Sequence, residues 1–167
     1  NSLRFDTATD PKLLRTPSSA SNRKTWTMSM WIKRNTLGFA TFFRGNTGSV
    51  NNYTNFAFTG SDELYYLDHP DNGDNRITTN RLFRDLSAWY HIVLVMDTTQ
   101  GTASNRFKLY VNGVQETSFS DTNYPTLNQD LQVNAATEHS IGDSSKGMYV
   151  AEVHFIDGQA LDPTSFG

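Results

Sequence analysis

Two residues near the end of the chain have the types and spacing of an acid and base pair. Glu152 and His154 stand two positions apart in a run of alternating residues, so a β-strand there would project both side chains from one face. A carboxylate and an imidazole held together can transfer protons at neutral pH. The same pattern is typical of the solvated face of an amphipathic strand. The sequence contains neither a Gly-x-Ser-x-Gly motif nor a glycine-rich nucleotide-binding loop, and we therefore expect no enzymatic activity.

Acidic residues concentrate in one turn-rich segment and recur in a later turn. Asp68, Asp71 and Asp74 lie close together in the first, and Asp143 follows a predicted strand in the second. Carboxylates are the hard oxygen ligands of Ca²⁺, which takes about six to eight oxygens. Aspartate also favours turns when no metal is present, and this segment does not match the spacing of an EF-hand. These four aspartates are the candidate ligands for a calcium ion.

Aromatic and amide side chains are predicted on a surface suited to carbohydrate. Sugars present C–H groups that stack on aromatic rings and hydroxyl groups that need paired donors and acceptors. Trp31 is out of phase with the apolar residues of its own run, and Tyr65 adjoins Tyr66, so one ring of that pair must point away from the core. The candidate carbohydrate-binding residues are Trp31, Tyr53, Asn55, Tyr65 and Tyr66. The alternatives are that Trp31 packs under a loop, or that an exposed ring anchors a protein interface.

The elements that would position these side chains are β-strands. Residues 25–34 alternate, with four apolar side chains on one face (Trp26, Met28, Met30 and Ile32). Residues 90–98 are apolar on both faces, as expected of a strand covered on both sides. Asn112-Gly113 predicts a two-residue type I′ hairpin within 106–116, because both turn positions need positive φ. Further strands are predicted at 2–5, 40–44, 55–58, 63–68, 76–83, 139–141 and 148–156.

Composition narrows the class of protein further. No stretch of ten or more residues has a helical apolar period, so the chain is predicted to be all-β, as a sandwich or a closed barrel. Its 167 residues fit one domain with its own core. A net charge of -3 offers no basic surface for nucleic acid. The absence of cysteine excludes disulfides and thiolate metal sites, and no apolar run approaches the roughly 20 residues that membrane insertion requires.

Four segments, taken in order, resemble the laminin-G-like branch of the concanavalin A-like lectin/glucanase jelly rolls. They are residues 26–32, 89–93 with 109–113, 141–142, and 149–153 with 160–161. The resemblance implies a jelly-roll sandwich of two antiparallel sheets, with calcium at its rim. Glucanases of this fold carry a Glu-x-Asp-x-x-Glu strand, which places carboxyl groups about 5 Å apart in retaining enzymes. The nearest match, Glu152-x-His154-x-x-Asp157, lacks the middle aspartate; catalysis is therefore disfavoured.

A narrower resemblance is to modules in bacteriophage tail and fibre proteins. It is carried by residues 84–91, 97–100 and 151–161. It implies that residues 1–167 are a single domain of a longer virion protein, located on an exterior appendage. The predicted function is noncatalytic recognition of host-surface carbohydrate. The alternative is a structural or oligomerising domain of a fibre or decoration protein, which has no glycan ligand, contacts other virion proteins and forms a homo-oligomer such as a trimer.

Overall fold

The computed structural model describes residues 1–6, 11–46, 49–69, 74–142 and 147–167. The regular elements in these ranges are mostly β-strands, as the alternating sequence predicts. The strands are β1 (Leu3–Phe5), β2 (Leu13–Arg15), β3 (Thr25–Arg34), β4 (Ala40–Gly45), β5 (Tyr53–Phe58), β6 (Glu63–His69), β7 (Asn75–Leu82), β8 (Tyr90–Asp97), β9 (Phe107–Val111), β10 (Val114–Glu116), β11 (Phe119–Asn123), β12 (His139–Ile141) and β13 (Met148–Asp157). Two short 3₁₀ segments lie at Ala103–Asn105 and Pro163–Phe166.

The strands form two antiparallel sheets that enclose one apolar core. One sheet has six strands in the order β1-β13-β3-β8-β9-β10, and the other has seven in the order β11-β7-β6-β5-β4-β12-β2. Strands that are neighbours in space are often distant in sequence, as where β13 lies beside β3. This architecture confirms the predicted all-β class and the two-sheet jelly-roll sandwich.

The core consists of the inward side chains of both sheets. Trp26 has no exposed surface, and its ring centroid lies 6.3 Å from that of Tyr66 in the opposite sheet and 5.9 Å from that of Phe155. Fully burying one large apolar side chain contributes roughly 1.5–3 kcal/mol, so the inward face of β3 is a major anchor of the sandwich. The other inward residues of β3 are buried as well: Met28, Met30 and Ile32.

Two short edge strands have no counterpart among the predicted strands. Strand β2 pairs with β12, and β11 pairs with β7, each at the end of its sheet. Leu13 and Leu14 of β2 are both about half exposed, and β11 has the polar sequence Phe-Ser-Asp-Thr-Asn. An edge strand is held by backbone hydrogen bonds to one neighbour, so its side chains need not alternate. The other predicted strands are present, with ends that differ by at most two residues.

The structure confirms the predicted hairpin and the covered strand. Asn112 and Gly113 join β9 to β10 with φ values of 51° and 79°, both in the left-handed region that a type I′ turn needs. Strand β8 is buried along its length on both faces. The segment after β13 covers the outer face of the sheet beside β8. The Thr27 hydroxyl, which lies opposite Val95 of β8, donates a hydrogen bond of 2.8 Å to the carbonyl oxygen of Gln159.

A β-bulge divides β13 into two parts with opposite phase. The register with β3 shifts between Ala151 and His154, and Glu152 has a φ of 49°. Tyr149, before the bulge, lies on the outer face of the sheet, whereas Phe155, after it, packs against the core. Both positions have the same parity in the sequence, so an uninterrupted strand would have placed the two rings on one face.

Candidate functional site

Two tryptophans and one tyrosine form an aromatic surface on the outer face of the six-stranded sheet. Trp31 lies on β3 between Ala151 of β13 and His91 of β8. Trp89 precedes β8, and its ring centroid is 6.5 Å from that of Tyr149 on β13. Trp31 and Trp89 each retain 36% of their surface exposed. We refer to Trp31, Trp89 and Tyr149 as the aromatic platform.

A buried histidine supports the ring of Trp31 from below. The indole stacks on His91 with centroids 4.9 Å apart and an interplanar angle of 14°. The Nε2 atom of His91 forms a hydrogen bond of 2.9 Å with the Ser29 hydroxyl. Burial, with a smaller contribution from the charge of His154, lowers the pKa of His91, which favours the neutral ring. His91 is therefore a structural support that holds Trp31 in one orientation.

A buried ion pair holds the loop that carries Trp89. Arg34, at the end of β3, donates to the carbonyl oxygen of Phe83 at 2.7 Å and to Oδ1 of Asp62 at 2.9 Å. Arg84 donates to the other oxygen of Asp62 at 3.2 Å. Burial acts to raise the pKa of Asp62, but hydrogen bonds from the Gly38 amide and both arginines outweigh it, and the pKa is lowered. The loop is thereby fixed at its start.

Three of the predicted carbohydrate-binding residues meet on the outer face of the seven-stranded sheet. Asn55 donates to the Tyr65 hydroxyl at 2.6 Å, and Tyr53 lies two residues before Asn55 on the same face of β5. The guanidinium carbon of Arg44 is 5.0 Å from the Tyr53 ring centroid, and that of Arg76 is 5.3 Å from the Tyr65 centroid. Asn55 and Tyr65 are buried beneath this layer, so they do not offer a bare ring to a sugar.

The remaining two predicted residues lie elsewhere. Tyr66 points into the core and has no exposed surface, which removes it from any ligand surface. The adjacent Tyr65 points away from the core, as the sequence requires of one member of the pair. Trp31 lies on the solvent side of its strand, as predicted, but on the other sheet from Tyr53. The five residues therefore do not form one site.

Sequence reasoning missed four residues of these two surfaces. Trp89 lies two residues before His91, an outward residue of β8, and the two-residue period of the strand could therefore have identified Trp89 as an outward side chain. The bulge in β13 hides the outward orientation of Tyr149. Arg44 and Arg76 belong to strands that are distant in sequence, and only the sheet order places them on one face.

The acid and base pair suggested by the sequence lies on the bulge of β13. Oε2 of Glu152 is 3.8 Å from Nε2 of His154, and both side chains are about half exposed or more. Asp157, the third member of the sequence pattern, accepts hydrogen bonds from the Asn22 amide and the Asn134 side chain instead. The pair lacks the second carboxylate that glycoside hydrolysis requires, and its solvated position matches the amphipathic-strand interpretation.

The predicted calcium ligands do not converge in the described part of the chain. Asp68 points into the sandwich, where its Oδ1 accepts from the Thr54 hydroxyl at 2.5 Å and the Gln132 amide at 2.9 Å. Asp74 lies at the surface and pairs with His69. Among the described residues, no group of three or more His, Cys, Asp or Glu could hold a metal ion. The other two candidates, Asp71 and Asp143, lie outside the described residues, so calcium binding stays a prediction.

A cleft of about 470 Å³ opens between β13 and the edge strand β2. Its lining mixes apolar side chains, such as Leu13 and Phe155, with polar and charged ones, such as Arg15 and Asp157. None of the predicted carbohydrate or calcium ligands that the structure describes lines this cleft. The exposed aromatic rings and the arginines lie on the outer faces of the sheets instead.

The fold is a two-sheet β-sandwich with aromatic and cationic side chains on the outer faces of its sheets. The family model described as the concanavalin A-like lectin/glucanases superfamily, of laminin-G type, matches residues 8–163. The chain therefore belongs to this family, as the resemblance predicts. A search of curated proteins finds no significant match. In the described part of the chain, no helix is long and apolar enough to span a membrane.

Solved structures share the fold at low sequence identity. A native heptameric SAP-like pentraxin from Limulus polyphemus is 17% identical, with a TM-score of 0.63 over 96% of this chain and 76% of that chain. Botulinum neurotoxin type C is 12% identical, with a TM-score of 0.66 over 98% of this chain. Domains LG4-5 of the mouse laminin α1 chain are 12% identical, with a TM-score of 0.63 over 96% of this chain. The chain spans 40% of the neurotoxin chain and 43% of the laminin chain.

Proposed function

We propose that this domain is a noncatalytic recognition module that binds carbohydrate through the aromatic platform. The observation that carries the proposal is the pair of partly exposed tryptophans, one stacked on buried His91 and the other held by the loop that Arg34 fixes. A sugar ring stacks its C–H groups on such indoles at little entropic cost, because the rings are already oriented. Lys33 lies beside Tyr149 on the same face and supplies donors for sugar hydroxyls.

The comparisons support a glycan ligand at the level of the fold. The family includes lectins in its description. The structure of botulinum neurotoxin type C is described as concerning cell entry that depends on two ganglioside molecules. We further propose, from the sequence resemblance to phage modules, that the domain belongs to an exterior virion appendage and that its ligand is a host-surface glycan.

The alternative is a structural or oligomerising virion domain with no glycan ligand. One observation favours it: half-exposed leucines line the open side of the sandwich, at Leu3, Leu13 and Leu14. A contiguous apolar margin is typical of protein interfaces. A glycan array probed with folded, multimerised protein separates the two functions, because absence of any signal would contradict recognition and favour the structural role. Solution mass of the same preparation reports the oligomeric state.

Replacing Trp31 by alanine is expected to weaken glycan binding by about 30-fold, because a central tryptophan contact is worth about 2 kcal/mol. The measurement is the dissociation constant for the neutral glycan that gives the strongest array signal. Phe39→Ala is the matched control, since Phe39 is a comparably exposed aromatic residue near the opposite sheet face. Equal losses from both variants would contradict a site at the aromatic platform.

Calcium, if bound as the sequence predicts, should raise the melting temperature reversibly. An ion present at about 100 times its dissociation constant stabilises the folded state by about 2.7 kcal/mol, and EDTA should reverse the shift. Asp74→Asn should reduce the shift, whereas Asp130→Asn, at another exposed aspartate, should not. A midpoint that is the same in calcium and in EDTA would remove the calcium prediction.

A further inference from the structure

Two arginines occupy the ends of one cross-strand row on the outer face of the seven-stranded sheet. Arg44 of β4 pairs with Asn55 of β5, Asn55 with Leu67 of β6, and Leu67 with Arg76 of β7. At about 4.8 Å between strands, the backbones of the two arginines are about 14 Å apart, a span that two long side chains can close from opposite ends. We call this set the arginine row.

Each arginine side chain lies against a tyrosine ring of this face, Arg44 against Tyr53 and Arg76 against Tyr65. Burial raises the pKa of Tyr65, while the charges of Arg76 and Arg44 both act to lower it. Both guanidinium groups therefore favour the ionised form of the phenol, and both lie on the same outer face of the sheet. A cluster of two cationic groups above a buried phenol and amide favours an anion in the same place.

The amide of Asn55 supplies an unsatisfied acceptor beneath the two cations. Its Nδ2 donates to Tyr65 at 2.6 Å, and the residue is only 8% exposed. Its buried Oδ1 has no hydrogen-bond partner among the described residues. Buried carbonyl oxygens are nearly always paired. A ligand that satisfies this atom must bring an O–H or N–H donor next to its negative charge.

The acidic side chains near the row leave donors available on Arg76. Asp121 lies 3.6 Å from Nε of Arg76, and both side chains are about half exposed. An exposed ion pair of this kind contributes little to stability. Because a guanidinium has five N–H donors, Arg76 can donate to Asp121 and to a ligand at the same time. Asp74 pairs with His69, and Asp68 points into the core rather than toward the row.

We propose that the arginine row binds the carboxylate or sulfate group of an acidic saccharide. Arg44 and Arg76 donate to the anion, and Oδ1 of Asn55 accepts from a neighbouring sugar hydroxyl. The site is on the opposite sheet from the aromatic platform and stands independently of ligand binding there. A saccharide is favoured over an acidic peptide because hydroxyl donors flank every charged group of a uronate or sulfated sugar.

The test is calorimetric titration of the folded domain with five probes: a hexagalacturonate, a heparin-derived hexasaccharide, a neutral maltohexaose, inorganic sulfate and an oligoglutamate peptide. We expect either or both acidic hexasaccharides to bind at least tenfold more tightly than maltohexaose and sulfate. Binding of the carboxylate probe alone identifies a uronate site, and of the sulfated probe alone a sulfate site. Equal affinity for neutral and acidic sugars, or for sulfate and the acidic sugars, overturns the proposal, as does preference for an oligoglutamate peptide.

Arginine variants test whether the acidic saccharide binds at the arginine row. Arg76→Gln and Arg44→Gln should each raise the dissociation constant about tenfold or more, since a charge-assisted hydrogen bond is lost. Arg81→Gln is the matched control: Arg81 lies on the same strand, is similarly exposed, pairs with Glu116 at 3.7 Å and lies near an aromatic ring. It should change affinity less than about twofold. A loss from Arg81→Gln equal to that from Arg76→Gln would show nonspecific attraction and overturn the proposal. Trp31→Ala should leave this binding intact even where it abolishes binding of a neutral glycan.

Discussion

Replacing Arg34 by methionine is expected to lower the free energy of unfolding by about 3–5 kcal/mol, because it leaves the carboxylate of Asp62 buried without its main partner. The side chains of Arg34 and Asp62 are 1% and 8% exposed, and their atoms approach to 2.9 Å. Arg34 also donates to two backbone carbonyls, of Phe83 and Gly38, and its guanidinium carbon is 4.4 Å from the Phe58 ring centroid. Urea denaturation at neutral pH measures the loss.

A double variant separates the ion pair from the packing of Arg34. Arg34→Met with Asp62→Asn removes both charges, and we expect it to recover at least half of the loss, since asparagine tolerates the φ of 71° at position 62 and keeps an acceptor for the Gly38 amide. Arg81→Met, at a half-exposed arginine of β7 in the other sheet, should change stability by no more than about 0.5 kcal/mol. If Arg34→Met does not fold, folding of the double variant alone supports the argument. A loss of less than about 1 kcal/mol in Arg34→Met would contradict it.

The same ion pair connects stability with the proposed function. Asp62 and Arg34 hold the loop that leads to Trp89 through the Phe83 carbonyl and Arg84. In the double variant the Arg34 donation to Phe83 is absent and Arg84 loses its charged partner, even though the fold is retained. We therefore expect weaker glycan binding at the aromatic platform with unchanged binding at the arginine row.

Replacing Asp68 by asparagine is expected to remove a penalty that the folded protein carries at neutral pH. Burial raises the pKa of Asp68 to about 6 from an ordinary value of 3.8. Between these pKa values the folded state binds more protons at Asp68 than the unfolded state does. The contribution of protonated Asp68 to stability is therefore fully present below pH 4 and is lost as the pH rises through 6. The shift corresponds to as much as about 3 kcal/mol. The variant retains the Oδ1 acceptor that the Thr54 hydroxyl and the Gln132 amide use.

The measurement compares the unfolding free energies of the wild-type protein and Asp68→Asn at pH 4 and pH 7.5. The unfolding free energy of the variant, relative to that of the wild type, should increase by up to about 3 kcal/mol between pH 4 and pH 7.5. Burial lowers the pKa of His91 and His139. Their contribution to stability therefore has the opposite pH dependence to that of Asp68, because it is lost as the pH falls below about 6.5. Both proteins contain these histidines, and the difference therefore isolates Asp68. Asp130→Asn, at an exposed site, is the control. A difference that is the same at both pH values would disprove the raised pKa.

The strands and their inward faces were predictable because they depend on neighbours along the chain. The alternation of β3 is enough to direct Trp26 inward and Trp31 outward, and Asn112-Gly113 specifies its own turn through positive φ. The edge strands β2 and β11 were not predicted, because each is stabilised by backbone hydrogen bonds to one neighbouring strand. Backbone hydrogen bonds leave no alternating pattern of side chains in the sequence.

The candidate sites depended on information that local pattern does not contain. Tyr65 and Tyr66 have the same residue type, and only their register with β5 and β7 decides which ring faces the core. The positive φ at Glu152 reverses the phase of β13, so Tyr149 joins the aromatic platform while Phe155 enters the core. A single residue added to a strand exchanges its two faces, and the alternation before the bulge gives no warning of it.

The sequence by itself therefore determined that this protein is all-β, as a sandwich or a closed barrel, with Trp31 out of phase with the core residues of its strand and with no recognisable catalytic motif. Only the tertiary structure brought Trp31 near Trp89 and Tyr149, and placed Arg44, Asn55 and Arg76 in one row. The reason is physical: the side-chain direction within a strand follows from its two-residue period, whereas the neighbours of that side chain come from the order of strands in the sheet. That order is decided by how the whole core packs.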